Sequence, residues 1–212
     1  MEITWYGHSC FRLRGREGTV ITDPFGKECG YDWTRPRADI VTLSHEHENH
    51  NQGQRVSGEP KIVHGPGEYE INNIFITGIG SFHDNKKGAE RGKNTIYLIE
   101  FEDLRICHLG DLGHVPTEAQ AEAMSDVDVL FVPVGGVTTL NASQAAEVVS
   151  QLEPHVVIPM HYKTKAFAGK LDDIDKFFKE MGIKSLDEQD TLKLTKSTVP
   201  EETQVVILKY PS

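Results

Sequence analysis

Short apolar runs cut by turn residues fill the first part of the chain. Ile3–Tyr6 and Cys10–Leu13 flank Gly7-His8-Ser9, the turn Arg14–Gly18 follows, and Thr19–Thr22 runs into Asp23-Pro24. Runs of this length, rich in β-branched and aromatic residues and separated by glycine, predict a meander of antiparallel strands. Ala38–Leu43 comes next, and its apolar run predicts a strand buried on both faces, as in a sheet covered by helices. Lys61–Val63 and Asn73–Ile79 are further strands, the second leading into Phe82-His83-Asp84. Polar Asn85–Lys93 is an exposed loop, and Thr95–Phe101 with Leu104–Leu109 forms a hairpin around Glu102-Asp103.

Beyond Gly110-Asp111 the period lengthens. Pro116–Met124, Ala142–Leu152 and Asp172–Met181 have helical spacing, alternating with the strands Val127–Val134 and Val156–Met160; Gln204–Tyr210 is a closing strand. Strands first, then alternating helices and strands, predict a layered α/β structure rather than a barrel of parallel units. At 212 residues the chain fits one domain, 1–212, with a substantial core.

Charge narrows the partners. Lys and Arg number 22 against 32 Asp and Glu, a formal net charge of -10, which disfavours unaided binding to nucleic acid or to an anionic membrane. Three cysteines, Cys10, Cys29 and Cys107, form no CxxC pair and no even framework, so a reducing cytoplasm and no disulfide are expected. The N-terminus lacks a signal-peptide pattern and no apolar run approaches a membrane span; the expected protein is soluble and cytoplasmic. Its expected partner is a small-molecule substrate, and a homo-oligomer is left open.

Chemistry concentrates in Ser44-His45-Glu46-His47-Glu48-Asn49-His50, directly after a strand. Neutral imidazole is the commonest ligand for zinc and similar ions, and residues two apart in an extended chain project to one side, as His45 and His47 do. Three more strand ends carry ligand-type side chains, His83, Asp111 and His161. Taken singly these are half-buried histidines and a turn aspartate; taken together they predict a metal site in one cleft. His8 and His64, each in a glycine-bounded turn, are candidates for protonating a leaving group or supporting a ligand.

These residues resemble the metallo-β-lactamase-fold superfamily. Its HxHxDH motif matches His45, His47, Asn49 and His50. Its later ligands match His83, Asp111 and His161, and a structural strand-end aspartate matches Asp23. Gly7-His8-Ser9 is similar to the opening of the small zinc-dependent hydrolases allied to L-ascorbate-6-phosphate lactonase. The resemblance implies a four-layer αββα sandwich of two mixed sheets flanked by helices, with metals at one edge. It implies a first ion on His45, His47 and His83, and a second on His50, His161 and a bridging Asp111. Asn49 stands where the family has an aspartate that ligates the second ion, so a tight first site and a weaker second site are expected.

A divalent ion, zinc by preference with manganese or iron as alternatives, lowers the pKa of bound water from about 15.7 to about 7. The expected reaction is therefore hydrolysis of an ester, lactone or phosphodiester by a metal-bound hydroxide oriented by Asp111. No GxSxG nucleophile is present. Basic residues after two ligands (Lys86, Lys87, Arg91 and Lys93; Lys163, Lys165 and Lys170) would suit an anionic substrate, although solubilising loop lysines are the favoured account of them. The short span between Asp111 and His161 leaves no room for the inserted domain of the family's RNA-processing branch. An iron oxidoreductase on the same fold, or a metal-binding protein without turnover, are the alternatives.

Overall fold

Strands β1 (Glu2–Gly7), β2 (Cys10–Arg14) and β3 (Thr19–Thr22) form the expected antiparallel meander in a computed structural model that describes residues 1–211. β4 (Ile40–Leu43) and β5 (Lys61–His64) extend it with parallel pairing. Next come β6 (Gly67–Ile71), β7 (Ile74–Phe82), β8 (Lys93–Phe101) and β9 (Leu104–His108), paired antiparallel in that order. Helix α1 (Glu118–Ala123), β10 (Val129–Pro133), α2 (Ala142–Leu152), β11 (Val156–Met160) and α3 (Asp175–Glu180) complete the alternation. Four two-residue strands close the chain: β12 (Glu188–Gln189), β13 (Leu192–Lys193), β14 (Gln204–Val205) and β15 (Ile207–Leu208).

Two mixed sheets result. One runs β13-β1-β2-β3-β4-β5 and the other β14-β11-β10-β9-β8-β7-β6; β12 and β15 pair separately. Because side chains alternate across a strand, chain neighbours separate into two cores. Trp5, Val20 and Ile40 join the large core between the sheets, whereas Tyr6, Ile21 and Val41 join a smaller one roofed by Phe25, Tyr31 and Val56. That second core explains why β4 is buried on both faces, although a loop rather than a helix covers it. Phe11 of β2 stacks on Phe131 of β10 at 4.0 Å and pins sheet to sheet.

The helices form where side chains satisfy their first backbone donors. Thr117 with Gln120, and Asn141 with Gln144, make capping boxes at the starts of α1 and α2. Other boundaries differ from expectation. Gly67–Ile71 is a strand, an exposed edge whose glycine-rich approach resembles a turn, and the expected Gln204–Tyr210 strand breaks at Val206 into pieces that serve different sheets. The three cysteines are buried and unpaired. Among the described residues no helix is long and apolar enough to cross a membrane.

Candidate metal centre

The ends of β3, β4, β7, β9 and β11, together with the β1–β2 turn, bring their polar residues to one edge of the sandwich. Backbone conformation aims them there. His8, Asp23 and His161 have φ of 54°, 37° and 53°, a left-handed conformation that non-glycine residues adopt only when the surroundings enforce it. Gly110, at φ 58°, prepares the position of Asp111; a Cβ there would collide with Asn94 and Ser44. Asn94 at the start of β8 holds the next residue in turn: its Oδ1 accepts the Asp111 backbone N–H at 2.9 Å, while its Nδ2 donates to Ser81 Oγ and to the Leu109 carbonyl. Ser9 Oγ donates to Asp111 Oδ1 at 3.4 Å.

Imidazoles ring the other Asp111 oxygen. Oδ2 lies 3.1 Å from His161 Nε2, 3.2 Å from both His50 Nε2 and His83 Nε2, and 3.9 Å from His45 Nε2. Ligand atoms gather in three groupings, His45-His47-His83, His8-His50-His161 and Asp23-His45-His50, each within 4.8 Å. Thus the structure brings together His45, His47, His50, His83, Asp111 and His161, and adds His8. Asn49 stands beside this group, with its Nδ2 2.7 Å from His8 Nε2.

The donors fit a cation. Buried ring nitrogens of five histidines, Nδ1 of His8, His83 and His161 and Nε2 of His45 and His50, have no hydrogen-bond partner among the described residues. Each unsatisfied buried polar atom costs about 1–3 kcal/mol; in His45 and His50 the atom without a partner is the one turned toward Asp111 Oδ2, where an ion would take its lone pair, whereas in His83 and His161 it is Nε2 that faces the carboxylate. Protonation states agree. Burial, then the neighbouring His50, pushes His45 down to about 2, and burial with His161 and His50 holds His8 well below its ordinary value. Burial opposes charge on His50 as well, but Asp111 and Asp23 outweigh it and lift that ring to about 10. Burial likewise favours neutral Asp111, yet His161 and His50 hold its carboxyl well below the usual range. A bound cation would displace the proton that His50 otherwise keeps between the two carboxylates.

Around this edge lie supports, of which the sequence pointed to Asp23 alone. Asp23 accepts from Ser44 N at 2.8 Å, from Ser44 Oγ, and from His50 Nδ1 at 3.0 Å. Ser44 Oγ also meets His45 Nδ1 at 2.9 Å, and His108 Nε2 sits 2.8 Å from the Ser9 carbonyl. Ser9, Ser44, Asn94 and His108 fall within or beside apolar strands, where a single polar residue has no spacing to mark it. His64 stands apart from the cluster. Its half-exposed side chain lies 2.9 Å from Glu46 and belongs to none of the three groupings, because β5 ends at the wall of a neighbouring cavity.

That cavity, of about 690 Å³, is lined by His45, His47, His64, Phe82, Arg91 and Lys93 among others; a second, of about 590 Å³, lies over Asp111, His83 and His161 and includes Arg91 and Lys170. Of the basic residues singled out in the sequence, Arg91, Lys93 and Lys170 therefore face the site. Lys86 pairs with Glu90, which also lies 3.7 Å from Arg91, and Lys163 pairs with Asp173. Arg91 is placed by Asp84, whose carboxylate accepts the backbone N–H groups of Lys86, Gly88, Glu90 and Arg91. Against a burial penalty, these bonds hold the Asp84 carboxyl down to about 2. The loop's anchoring is therefore present above the usual carboxylate range and lost as pH falls toward about 2. Asp84→Ala is expected to speed backbone amide exchange across residues 85–92 at neutral pH while leaving exchange in β8 unchanged.

Comparison with known proteins gives a consistent picture. Residues 2–161 match the Beta-lactamase superfamily domain. A metal-dependent hydrolase of Pyrococcus horikoshii is 28% identical over 196 residues, covering 77% of this chain and 85% of the relative. A crystal structure from Thermotoga maritima, assigned as a Zn-dependent hydrolase of the metallo-beta-lactamase superfamily, is 39% identical with a TM-score of 0.84 and covers 99% of both chains. The diiron β-hydroxylase CmlA of Streptomyces venezuelae, 15% identical with a TM-score of 0.66 over 92% of this chain and 54% of that one, shares the fold.

Proposed function

The chain belongs to the beta-lactamase superfamily, and from that membership we propose that it is a metal-dependent hydrolase, zinc-loaded, acting on an ester, lactone or phosphodiester bond of a small anionic substrate. The observation that supports this best is the buried carboxylate of Asp111, with Nε2 of His45, His50, His83 and His161 gathered within 3.9 Å of one of its oxygens, beside a cavity bordered by Arg91 and Lys93. His45, His47 and His83 would hold one ion, and Asp111 would reach both it and a second. When bound, a divalent ion makes water acidic enough to attack at neutral pH and polarises the oxygen under attack.

The chain's own residues do the rest. Asn94 fixes the Asp111 backbone and Ser9 its carboxylate, so the orientation of that group needs no rearrangement when substrate arrives. Arg91 and Lys93 offer charge-assisted hydrogen bonds to a phosphate or carboxylate group of the substrate. His64, steadied by Glu46, lies across that cavity from the cluster, where it can pass a proton to a leaving group.

Metal analysis of natively purified protein, combined with turnover of phosphodiester, lactone and ester probes, tests the reading. Expected are stoichiometric zinc, turnover of at least one anionic probe, and loss of both ion and turnover in His45→Ala. Turnover that survives in metal-free His45→Ala would overturn it. The fold shared with CmlA favours a second reading, an iron oxidoreductase; stoichiometric iron with substrate-dependent oxygen consumption would select that one.

A further inference from the structure

One imidazole at the metal edge has no place in the ligand set that the motif implies. His8 is fully buried, its Nδ1 has no partner among the described residues, and its ring lies 4.1 Å from that of His161 and 4.9 Å from that of His50. One ring nitrogen from each of these three histidines falls within a common 4.8 Å grouping. On its far side the ring packs against Phe167 at 4.8 Å, so it cannot turn out to solvent. Its backbone, at φ 54° after Gly7, is held in a left-handed conformation that points the side chain to this corner. Asn49, which stands in the motif position of an aspartate, has its amide 2.7 Å from His8 Nε2, so the two side chains share that corner.

We propose that His8 is a ligand of a second divalent ion, together with His50, His161 and the shared Asp111, replacing the carboxylate that Asn49 lacks. This rests on the metal-centre reading above. Asn49 then acts on the ring rather than on the ion: its amide engages one imidazole nitrogen and fixes the tautomer and angle, the service that a carbonyl or carboxylate commonly performs for a ligating histidine. An amide presents either an N–H or an oxygen, so it suits whichever nitrogen the ion leaves free.

The exchange of a carboxylate for an imidazole has two consequences. Each ion now faces three imidazoles and one shared carboxylate, so the gap in affinity expected from Asn49 alone narrows. The centre also loses one negative charge, which raises its attraction for an anionic substrate and shifts its preference toward nitrogen-loving ions such as zinc and cobalt over manganese.

Metal-stripped protein titrated with zinc or cobalt, with equivalents counted by elemental analysis and the cobalt visible spectrum read for coordination, tests the assignment. The expected result is two equivalents in the unaltered protein, about one in His8→Ala with the first retained, and two in Asn49→Ala. Adding the missing carboxylate, in His8→Ala with Asn49→Asp, should restore the second equivalent. His8→Phe, which fills the volume beside Phe167, replaces His8→Ala if that variant does not fold. Two equivalents with an unchanged cobalt spectrum in His8→Ala would overturn the assignment, and so would loss of the second equivalent in Asn49→Ala. No uptake by the unaltered protein would overturn the metal centre itself, an outcome that these variants do not produce.

Discussion

Asp111→Asn should lose tight metal uptake altogether, and turnover with it by about three orders of magnitude or more, the scale seen when a key charge-stabilising group is removed. Among the described residues the carboxylate is the one within 3.9 Å of His45, His50, His83 and His161 together; Asp23 reaches only His45 and His50. An amide of the same shape keeps the hydrogen bond from Ser9 but brings an N–H or a neutral oxygen to the ions. Losing only an outer partner of a ligand typically costs 10- to 100-fold in metal affinity, and a shared ligand should cost more at both sites. Elemental analysis after dialysis and turnover of the responsive probe read the two effects. A variant that keeps two ions through dialysis would show that the imidazoles alone hold them.

The same edge shows how far the chain could be read before it was folded. The meander β1–β3, the doubly buried β4 and helix α2 follow from periodicity, since each buries a regular set of apolar positions. β6 escaped because it is an edge strand, largely exposed, whose glycines mimic a turn. Among site residues, the cluster from His45 to His50 is legible because imidazoles crowd one segment and strand ends place them. His8 and His64 looked alike in sequence, each a histidine in a glycine-bounded turn, yet one is buried against His161 and the other lies at a cavity wall. Their difference arises from sheet topology: the β1–β2 turn passes beside β11, whose His161 backbone N–H donates to the His8 carbonyl, whereas β5 ends at the outside of its sheet. Asn94 was invisible for a related reason, because its partners come from two other places in the chain, Ser81 in β7 and Leu109 with Asp111 after β9.

Asp23 should produce the largest change in stability. It is fully buried and accepts from Ser44 N, Ser44 Oγ and His50 Nδ1, so Asp23→Asn sets an amide N–H against at least one of these donors. Breaking a buried charged pair by removing one partner costs about 3–5 kcal/mol. At roughly 2–4 °C per kcal/mol for a chain of this size, the thermal midpoint should fall by roughly 6–20 °C. The pH dependence has a definite sign. Burial alone would raise the Asp23 carboxyl, but the hydrogen bond from His50 and the charges of His108 and His50 pull it below its ordinary value. A depressed carboxyl contributes stability above the usual carboxylate range and loses it on acidification, so the melting curves of the two proteins should converge as pH falls through the folded value. A second effect reaches the metal edge. When an ion displaces the second proton of His50, Asp23 accepting at Nδ1 keeps the remaining proton there and leaves the Nε2 lone pair for the ion; an amide N–H in that place favours the other tautomer and puts a hydrogen where the ion would bind. Asp23→Asn should therefore lose the second equivalent of metal while the one on His45, His47 and His83 persists. A neutral-pH midpoint within about 2 °C of the unaltered protein, measured metal-free and with two ions still bound on reloading, would rule out this role for Asp23.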